Sequence, residues 1–371
     1  MKNILIYFPY NQRTVEQQSV MELFVKKGHN VFLLTLTPKG FLHHYVEKLN
    51  IKASASPVTT TSKIRNILQN AKFLFKFCKE NNIDIIMVHQ QLAALPLIFA
   101  KPFIKARLYY VRHNADEDYL SHPRKAWLMN RFINAMMPSI IAPSDIVYQY
   151  ITNIEHVPEK KMLRINYGYN FSQYDKPCLV KAASIRAEHP CELLIISIAR
   201  LTPPKRHLLM FQAVKFLKEK ELDVKMICLG DGPSRETLQQ WIDVNGMNDV
   251  ISLKGILPDI FDYLVAGDVL FHLSETEASN SVVKETGLVK RTAIVCRQVG
   301  DFSDYIENDI NGFLLDKKNP LPEAIILLEK LYHNKEILVN AGKILFEKII
   351  HEFDIDNVSS QYDELIQTNT N

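Results

Sequence analysis

Two glutamates stand eight positions apart in the segment SETEASNSVVKETG, residues 274 to 287, directly after a hydrophobic run. Glu277 and Glu285 flank a short stretch that contains Asn280, Ser281 and two valines. A carboxylate can accept hydrogen bonds from two neighbouring hydroxyls, which suits the diol of a ribose or the ring hydroxyls of a sugar. Paired glutamates more often mark a solvated helix face, so this interpretation needs support from other residues.

The same segment predicts the start of a helix. Asn280 or Ser281 can act as its N-cap, and the N–H groups of residues 281 to 283 then lie in the first turn, where they can bind an anion. Glu277 falls in the loop before this helix, and Glu285 falls about one turn inside it. We therefore expect the two carboxylates to face different parts of one ligand.

Basic residues and glycines follow two other apolar runs. After LLIISIA the chain reads RLTPPKR, in which Arg200 stands at the strand end and Lys205 near the start of the next helix, as expected for a pyrophosphate clamp. After VKMICLG it reads DGPSRE, so the segment is LGDGP (229–233), in which Gly230 and Gly232 permit a tight turn and a close backbone approach. This segment is not GxGxxG, and no such fingerprint follows the first strand, which disfavours a nicotinamide enzyme. Each feature is weak alone, because solvated cations at a strand end are common.

The elements that must position these residues alternate between short apolar runs and amphipathic segments. Runs without polar alternation are typical of strands buried on both faces of a parallel sheet. The helical segments include residues 206 to 220, for which Pro203 and Pro204 predict the first turn. The strand runs are residues 4–8, 31–36, 83–89, 106–113 and 139–143 in the first half, and 193–199, 224–230, 250–255, 268–274, 292–297 and 312–315 in the second.

This βα order predicts a doubly wound α/β architecture in each half, with ligands bound at the carboxyl ends of the strands, in a cleft between two domains. The chain of 371 residues is longer than one core usually serves. We expect a first domain at 1–175, a second domain at 176–352, a linker within residues 175 to 189, and a helix at about 353–371 that packs back on the first domain.

Composition and cysteine usage indicate an ordinary soluble protein of a reducing compartment. Hydrophobic residues make up 47% and charged residues 23% of the chain. The five cysteines are widely spaced and form no CxxC pair, which is typical of reduced cytosolic thiols. The opening MKNILIYFPYNQR is too short for a signal-peptide core, and LAALPLIFA is too short for a membrane span. The expected location is the cytoplasm.

The two halves differ in charge. Residues 1 to 180 hold 23 Lys and Arg against 12 Asp and Glu, a net +11, whereas residues 181 to 371 hold 21 against 29, a net −8. The basic amphipathic segments 62–80 and 122–137 predict a peripheral contact with an anionic membrane surface. Core-facing helices with lysines outside explain them nearly as well. Nucleic acid is a disfavoured partner, because no recognition motif accompanies the charge.

Taken in order, the motifs carry a family resemblance. The succession strand-RLxxxK, strand-GDGP, strand-SxxExxxxxxxE and VGDFSDYIENDINGFLL (299–315) resembles the family 4 retaining glycosyltransferases of the group 1 type, whose two-domain fold is called GT-B. The resemblance covers most of residues 193 to 315 and weakens in the first half. It implies two Rossmann-like domains that face each other across a cleft.

The implied activity is transfer of a hexose from a nucleoside diphosphate sugar to a hydroxyl of a glycan or lipid-linked acceptor, with retention at the anomeric carbon. A role in cell-envelope or surface polysaccharide biosynthesis follows from the same resemblance. The departing phosphate oxygen is then the expected base for the incoming hydroxyl, so no protein nucleophile, metal or further cofactor is expected.

The resemblance assigns roles residue by residue. Arg200 and Lys205 match the basic pair on the donor diphosphate. Glu277 matches the first glutamate of the E-x7-E element, which contacts the donor sugar, and Glu285 matches the second, which holds the nucleotide ribose. The amides of Ser281, Val282 and Val283 match the helix start that meets the distal phosphate.

Other positions match more loosely. His113, in VRHNAD, resembles a histidine near the transferred sugar, although a lone histidine after a strand is more often structural. Asn166 and Gly168 match the end of the first domain, near the cleft. Gly312, in INGFLL, matches a structural turn glycine.

Several positions depart from the family pattern. Ala278 and Ser279 stand where the family has Gly and an aromatic residue, and Thr-Gly-Leu-Val-Lys follows Glu285 in place of Ala-x-Ala-x-Gly. PYNQRT (9–14) replaces a glycine-rich loop, so Arg13 and Gln12 become candidates for its phosphate contact.

Three alternatives stay open. A metal-dependent transferase would use a DxD element, for which residues 116–118 and 354–356 are candidates. A sugar-nucleotide epimerase can share the fold and the donor site, and a catalytically silent scaffold fits the altered residues around Glu277. The nucleotide base, the sugar and the acceptor are not determined by the sequence.

Overall fold

The computed structural model describes residues 1–12, 14–113, 123–277 and 279–367. The chain forms two compact units. The first unit comprises Met1–Ser172 together with the residues from Phe353 onward, and the second comprises Gln173–Glu352. The chain therefore leaves the first unit once and returns to it near its C-terminus.

The first unit is built on a seven-stranded parallel sheet with the order β3-β2-β1-β4-β5-β6-β7. Ile4, on the central strand, lies beside Val31 on one neighbour and Ile85 on the other, and all three are buried. The strands are β1 (Asn3–Phe8), β2 (Asn30–Thr35), β3 (Lys52–Ala55), β4 (Ile85–His89), β5 (Arg107–Val111), β6 (Ser139–Ala142) and β7 (Met162–Arg164).

Helices cover both faces of this sheet. Right-handed crossovers place the helices of the β1-to-β3 connections on one face, and the helices that follow β3, β4, β5 and β6 on the other. The former are α1 (Val15–Lys26) and α2 (Phe41–Glu47), and the latter are α3 (Lys63–Glu80), α4 (Gln90–Ala100), α5 (Pro123–Met136) and α6 (Asp145–Gln149). α4 packs against both α3 and α5.

The second unit repeats the principle with a six-stranded parallel sheet in the order β10-β9-β8-β11-β12-β13. The strands are β8 (Leu193–Ile198), β9 (Val224–Leu229), β10 (Ile251–Gly255), β11 (Val269–His272), β12 (Thr292–Cys296) and β13 (Phe313–Leu315). The helices are α7 (Leu179–Glu188), α8 (His207–Glu219), α9 (Arg235–Val244), α10 (Ile260–Ala266), α11 (Ser281–Leu288), α12 (Phe302–Tyr305), α13 (Pro320–His333) and α14 (Glu336–Phe353).

The last helix, α15 (Ile355–Gln367), belongs to the first unit. It packs beside α1, where the rings of Phe24 and Tyr362 meet edge to face at 5.8 Å. The hydroxyl of Tyr109 on β5 donates to the carbonyl of Leu365 at 2.8 Å. The C-terminal segment is thus part of the first unit's core.

The doubly wound α/β prediction is confirmed for each unit, and all eleven predicted strand runs are strands. The sequence analysis missed β3 and β7, which are short strands at the two edges of one sheet. The predicted linker at 175–189 is wrong, because most of it forms α7. Pro203 and Pro204 begin a separate 3-10 turn, since Arg206 adopts a left-handed conformation, with φ of 53°, before α8 begins at His207.

All five cysteines are free thiols. Within the part of the chain that the structure describes, no helix is both long enough and apolar enough to cross a membrane.

Candidate functional site

Three loops of the second unit meet at the carboxyl edge of neighbouring strands. They follow β9, β8 and β11, which lie side by side and run parallel. The amide of Leu201 donates to the carbonyl of Asp231 at 3.0 Å, which joins the first two loops. The amide of Glu275 donates to the carbonyl of Pro204 at 2.8 Å, which joins the second to the third. The segments with candidate chemistry are therefore brought together.

Gly230 and Gly232 allow the β9 loop to lie directly on the β8 loop. A Cβ atom at Gly230 would stand 1.9 Å from the carbonyl oxygen of Ala199, and one at Gly232 would stand 2.5 Å from that of Leu201. Gly230 also has a φ of 134°, which favours glycine. The structure thus gives both glycines a packing role, and their contact with a ligand stays a prediction.

Lys205 and Glu277 form an ion pair between the β8 and β11 loops. The Lys205 ammonium also donates to the hydroxyl of Ser274 at 3.4 Å. The same carboxylate oxygen of Glu277 accepts from Nε2 of His272 at 2.7 Å. Arg206, the residue after Lys205, pairs with Glu275, two residues before Glu277, at 3.0 Å. Two cation–carboxylate pairs therefore fix these loops to each other.

The setting of Glu277 keeps its carboxylate ionised. Burial by itself would raise the pKa of Glu277, but the hydrogen bonds and charges of His272 and Lys205 outweigh burial and lower the pKa to about 2. Glu277 is therefore an acceptor at neutral pH, as a contact to sugar hydroxyls requires. His272, the last residue of β11, was not found by the sequence analysis, because its approach to Glu277 depends on the fold of the loop.

Arg200 differs from Lys205 in its surroundings. It follows β8 on the same loop, its side chain is exposed, and it has no side-chain hydrogen bond or ion pair among the described residues. An arginine without a protein partner at the carboxyl edge of the sheet is free to bind an anion through its planar fork.

The N-terminus of α11 lies where the sequence predicts it. Asn280 is the N-cap, and its side-chain oxygen accepts from the amide of Val283 at 3.1 Å. This occupies one of the three amides expected to bind phosphate, so the amides of Ser281 and Val282 are the remaining first-turn donors. Glu285 lies one turn further along and is buried.

A buried ion pair lies beneath this helix start. The side chains of Lys284 and Asp301 are each 1% exposed and pair at 2.6 Å. The hydroxyl of Ser279 donates to the same Asp301 oxygen at 2.6 Å. The sequence analysis placed no function on Lys284 or Asp301, because a lysine beside Glu285 in a helix is indistinguishable in sequence from a solvated one.

In the first unit, His113 is part of a hydrogen-bonded chain of three rings. Its Nε2 lies 2.9 Å from Nδ1 of His89, and its Nδ1 lies 2.9 Å from the hydroxyl of Tyr167. Burial, with the neighbouring Arg112 charge, lowers the pKa of His113 to about 4. A neutral imidazole has one donor and one acceptor nitrogen, so both are engaged. A sugar hydroxyl can reach a His113 nitrogen only by replacing one of these bonds.

Arg112, the residue before His113, anchors the end of β5. It forms a buried bidentate pair with Glu155, with nitrogen–oxygen distances of 2.8 and 3.1 Å. Asn130 of α5 also donates to Glu155, at 3.1 Å. Through Glu155, these bonds connect α5 to the segment that follows β5 and carries His113.

Family models match both units. The model described as "Glycosyl transferases group 1" matches residues 184–344, and the model described as "Glycosyltransferase Family 4" matches residues 18–173. The chain belongs to the family 4 glycosyltransferases. The second match lies in the unit where the sequence motifs were weakest.

Curated relatives of this glycosyltransferase span most of its length. It is 22% identical over 366 residues to the alpha-monoglucosyldiacylglycerol synthase of Streptococcus pneumoniae, covering 90% of this chain and 80% of the relative. It is 24% identical over 307 residues to the N-acetyl-alpha-D-glucosaminyl L-malate synthase of Bacillus anthracis, covering 80% and 77%. By their names, the first relative makes a glucosylated diacylglycerol and the second an N-acetylglucosaminylated malate.

A solved structure with the same fold is Anabaena Alr3699/HepE in complex with UDP-glucose. It superposes with a TM-score of 0.82 at 16% identity and covers 99% of both chains. The likeness confirms the GT-B class of the glycosyltransferase.

Other predicted positions of the glycosyltransferase have mainly structural contacts or lie outside the description. Asn166 accepts from Arg164 at 2.7 Å, and Gly168 packs against Ile355 at the start of α15. A Cβ at Gly312 would stand 2.8 Å from Ile306, so a close approach requires this glycine. Arg13 and residues 116–118 lie outside the described residues, and Gln12 is exposed.

Proposed function

We propose that this glycosyltransferase moves a hexose from a nucleoside diphosphate sugar to a hydroxyl of a lipid-linked or glycan acceptor, with retention and without a metal. The observation that carries the proposal is the carboxyl edge of the second sheet. There an exposed Arg200, the Lys205–Glu277 pair and the first turn of α11 follow adjacent strands. Cations and free amides suit a diphosphate, and ionised carboxylates suit hydroxyls.

The proposed chemistry follows from where charge develops. As the bond between the anomeric carbon and the phosphate oxygen breaks, negative charge grows on the diphosphate. Arg200, Lys205 and the amides of Ser281 and Val282 stabilise it. The acceptor oxygen bonds to the anomeric carbon on the face that the phosphate leaves, and its proton passes to the departing phosphate oxygen. No protein nucleophile takes part, and Glu277 holds the donor sugar.

The relatives support retention and indicate the donor to test first. The S. pneumoniae relative is named for an alpha-linked product, and the glucose of UDP-glucose, the ligand of the HepE structure, is alpha-linked to its phosphate. An alpha product from such a donor retains the configuration. We therefore propose a uridine diphosphate hexose as the donor.

The structure of the first unit supports a membrane-proximal acceptor. The helices α3, α4 and α5 and the turn Lys101–Phe103 carry nine Lys and Arg residues and one acidic residue, Glu80. The helices α1, α2 and α15, which lie on the opposite face of the sheet or pack there, carry one lysine and six acidic residues. We propose that the basic face rests on the inner, anionic leaflet from the cytoplasm, where a lipid-linked acceptor is available.

The proposal is tested by binding and by product analysis. At a hundredfold excess over its dissociation constant, UDP should stabilise the protein by about 2.7 kcal/mol, and GDP and ADP serve as comparisons. Arg200→Ala should lower kcat/KM roughly a hundredfold to a thousandfold. Lys343→Ala, which removes an exposed lysine of α14, is the matched control. Activity should persist in EDTA.

Each alternative has its own signature in these measurements. If an epimerised sugar nucleotide forms without an acceptor, the protein is a sugar-nucleotide epimerase and not a transferase. Loss of activity in EDTA would indicate a metal-dependent reaction. No stabilisation by any nucleoside diphosphate would indicate a silent scaffold and would contradict the proposal.

A further inference from the structure

We propose that the buried pair Lys284–Asp301 is a positioning element that holds Ser279 and Asn280, and hence the first amides of α11, in the geometry that binds the donor diphosphate. This inference rests on the proposed function, because it names the residues that set the geometry of the same site. Neither side chain is exposed, so neither touches the donor itself.

The Lys284 ammonium is bonded almost entirely to the loop and the cap. It donates to the carboxylate of Asp301 at 2.6 Å, to the hydroxyl of Ser279 at 3.0 Å and to the carbonyl of Asn280 at 3.2 Å. These three bonds use its three protons. The ring of Tyr305 lies 5.0 Å from the ammonium, as in a cation–π contact.

Asp301 also accepts hydrogen bonds from Ser279 and Asn280. Its Oδ2 accepts from the Ser279 hydroxyl at 2.6 Å, and its Oδ1 lies 3.4 Å from the Asn280 amide. Ser279 and Asn280 are thus held through side chain, amide and carbonyl. Asn280 is the N-cap of α11, so its position sets the direction of the amides of Ser281 and Val282.

A gain in folding stability does not explain why a buried ion pair stands at positions 284 and 301. A buried ion pair loses the hydration of both charges, and apolar residues of similar volume are often as stabilising or more so. The pair does what apolar residues cannot, because hydrogen bonds fix a polar loop in both distance and direction. Ser279 and Asn280 lie in neither a helix nor a strand, and the Lys284–Asp301 pair bonds to both of them.

The decisive variant is Lys284→Met/Asp301→Leu, which replaces both charges by apolar side chains of similar size and leaves neither charge unpaired. We expect a urea midpoint close to that of the wild type and a dissociation constant for UDP weakened by roughly tenfold to a hundredfold, as for displaced binding groups. Hydrogen exchange at residues 279 to 283, measured without ligand, should become faster.

The matched control removes another ion pair of the same unit. Arg186 and Asp268 pair at 2.8 Å, and Asp268 accepts from the amide of Leu194 near the start of β8, away from the site loops. Arg186→Met/Asp268→Leu should leave UDP affinity and the exchange of residues 279 to 283 unchanged. If the double variant fails to fold, Ser279→Ala is the substitute, because it removes only the hydroxyl that bridges Lys284 and Asp301. It should also weaken UDP binding and speed exchange at residues 279 to 283, but by less.

An unchanged UDP affinity, within twofold, together with unchanged exchange at residues 279 to 283, would overturn the positioning role. A wild-type protein that binds no nucleoside diphosphate would instead contradict the proposed function. In that case the exchange measurement still decides whether the pair orders the loop.

Discussion

Glu277 keeps its negative charge while it is buried, because the Lys205 ammonium and the His272 ring stabilise its carboxylate. His272 and Lys205 both bond to one carboxylate oxygen, and Lys205 reaches it from the loop of another strand. In the proposed reaction, the donor diphosphate would compete with Glu277 for the Lys205 ammonium. We infer that donor binding exchanges part of the Lys205–Glu277 pair for a contact with phosphate, which leaves Glu277 acceptor capacity for sugar hydroxyls.

The depressed pKa of Glu277 predicts an acid-sensitive contribution to stability. The pKa falls from 4.5 to about 2 on folding, so the contribution is fully present above pH 4.5 and is lost as pH falls towards 2. Its upper limit at neutral pH is roughly 3 kcal/mol. Glu277→Gln should therefore lower the urea midpoint at pH 7, and the difference from the wild type should shrink between pH 4.5 and 3.

The control for this prediction is Glu275→Gln. Glu275 lies on the same loop in an ion pair, but its side chain is 46% exposed, so solvent weakens the pair and the substitution should have little effect at either pH. A Glu277→Gln deficit of constant size down to pH 3 would show that Glu277 has no depressed pKa.

At the scale of elements, the first unit separates its charges between the two faces of one sheet. The basic face also exposes large apolar side chains. These are Ile64 and Leu68 on α3, Leu92 and Phe99 on α4, Phe103 in the following turn, and Trp127, Leu128 and Phe132 on α5. Apolar side chains among lysines and arginines are typical of helices that lie in a membrane interface.

This face predicts flotation with vesicles that contain phosphatidylglycerol, at low salt, and release at high salt, where screening weakens the attraction. Lys125→Glu/Arg131→Glu on α5 should weaken vesicle binding at least about tenfold, since each basic residue near the surface contributes about 1 kcal/mol. The control Lys26→Glu/Lys48→Glu changes the net charge equally, at α1 and just after α2, and should float like the wild type. A wild-type protein that stays at the bottom at low salt would exclude this surface.

At the scale of the whole molecule, the chain completes its first unit only after it has made the second. α15 packs against α1, and Lys27, just after α1, forms an ion pair with Asp363 of α15. The first unit therefore depends on residues made last, whereas the core of the second unit is continuous in sequence.

Tyr362→Ala tests this dependence. Tyr362 is buried and packs on Phe24, so the substitution should cost about 3–5 kcal/mol. Hydrogen exchange should become faster in α1 and β5 and stay unchanged in β8 to β12. The reciprocal variant Phe211→Ala, which removes a buried ring packed on Trp241 in the second unit, should have the opposite distribution. Equal loosening of both units by either variant would contradict independent cores.

The sequence by itself determined the buried strands, several of the helices and the order of the site motifs. LLIISIA is apolar except for Ser197, so β8 could be recognised from adjacent residues alone, and the N-cap could be narrowed to Asn280 or Ser281. The edge strands β3 and β7 were not recognisable, because KASA and MLR are short and partly exposed. Neighbouring residues are enough to predict a helix or strand when most of its own side chains are buried.

Only the tertiary structure decided the partners of the polar side chains. Lys205 meets Glu277 because β8 and β11 are adjacent in the sheet, although 72 positions separate the two residues. Lys284 turns inward to Asp301, and both ring nitrogens of His113 are engaged by His89 and Tyr167. A side chain's hydrogen-bond partners depend on which strand ends lie side by side. The order of the strands is set by the packing of the complete sheet. It produces no recognisable pattern in the sequence around these polar residues.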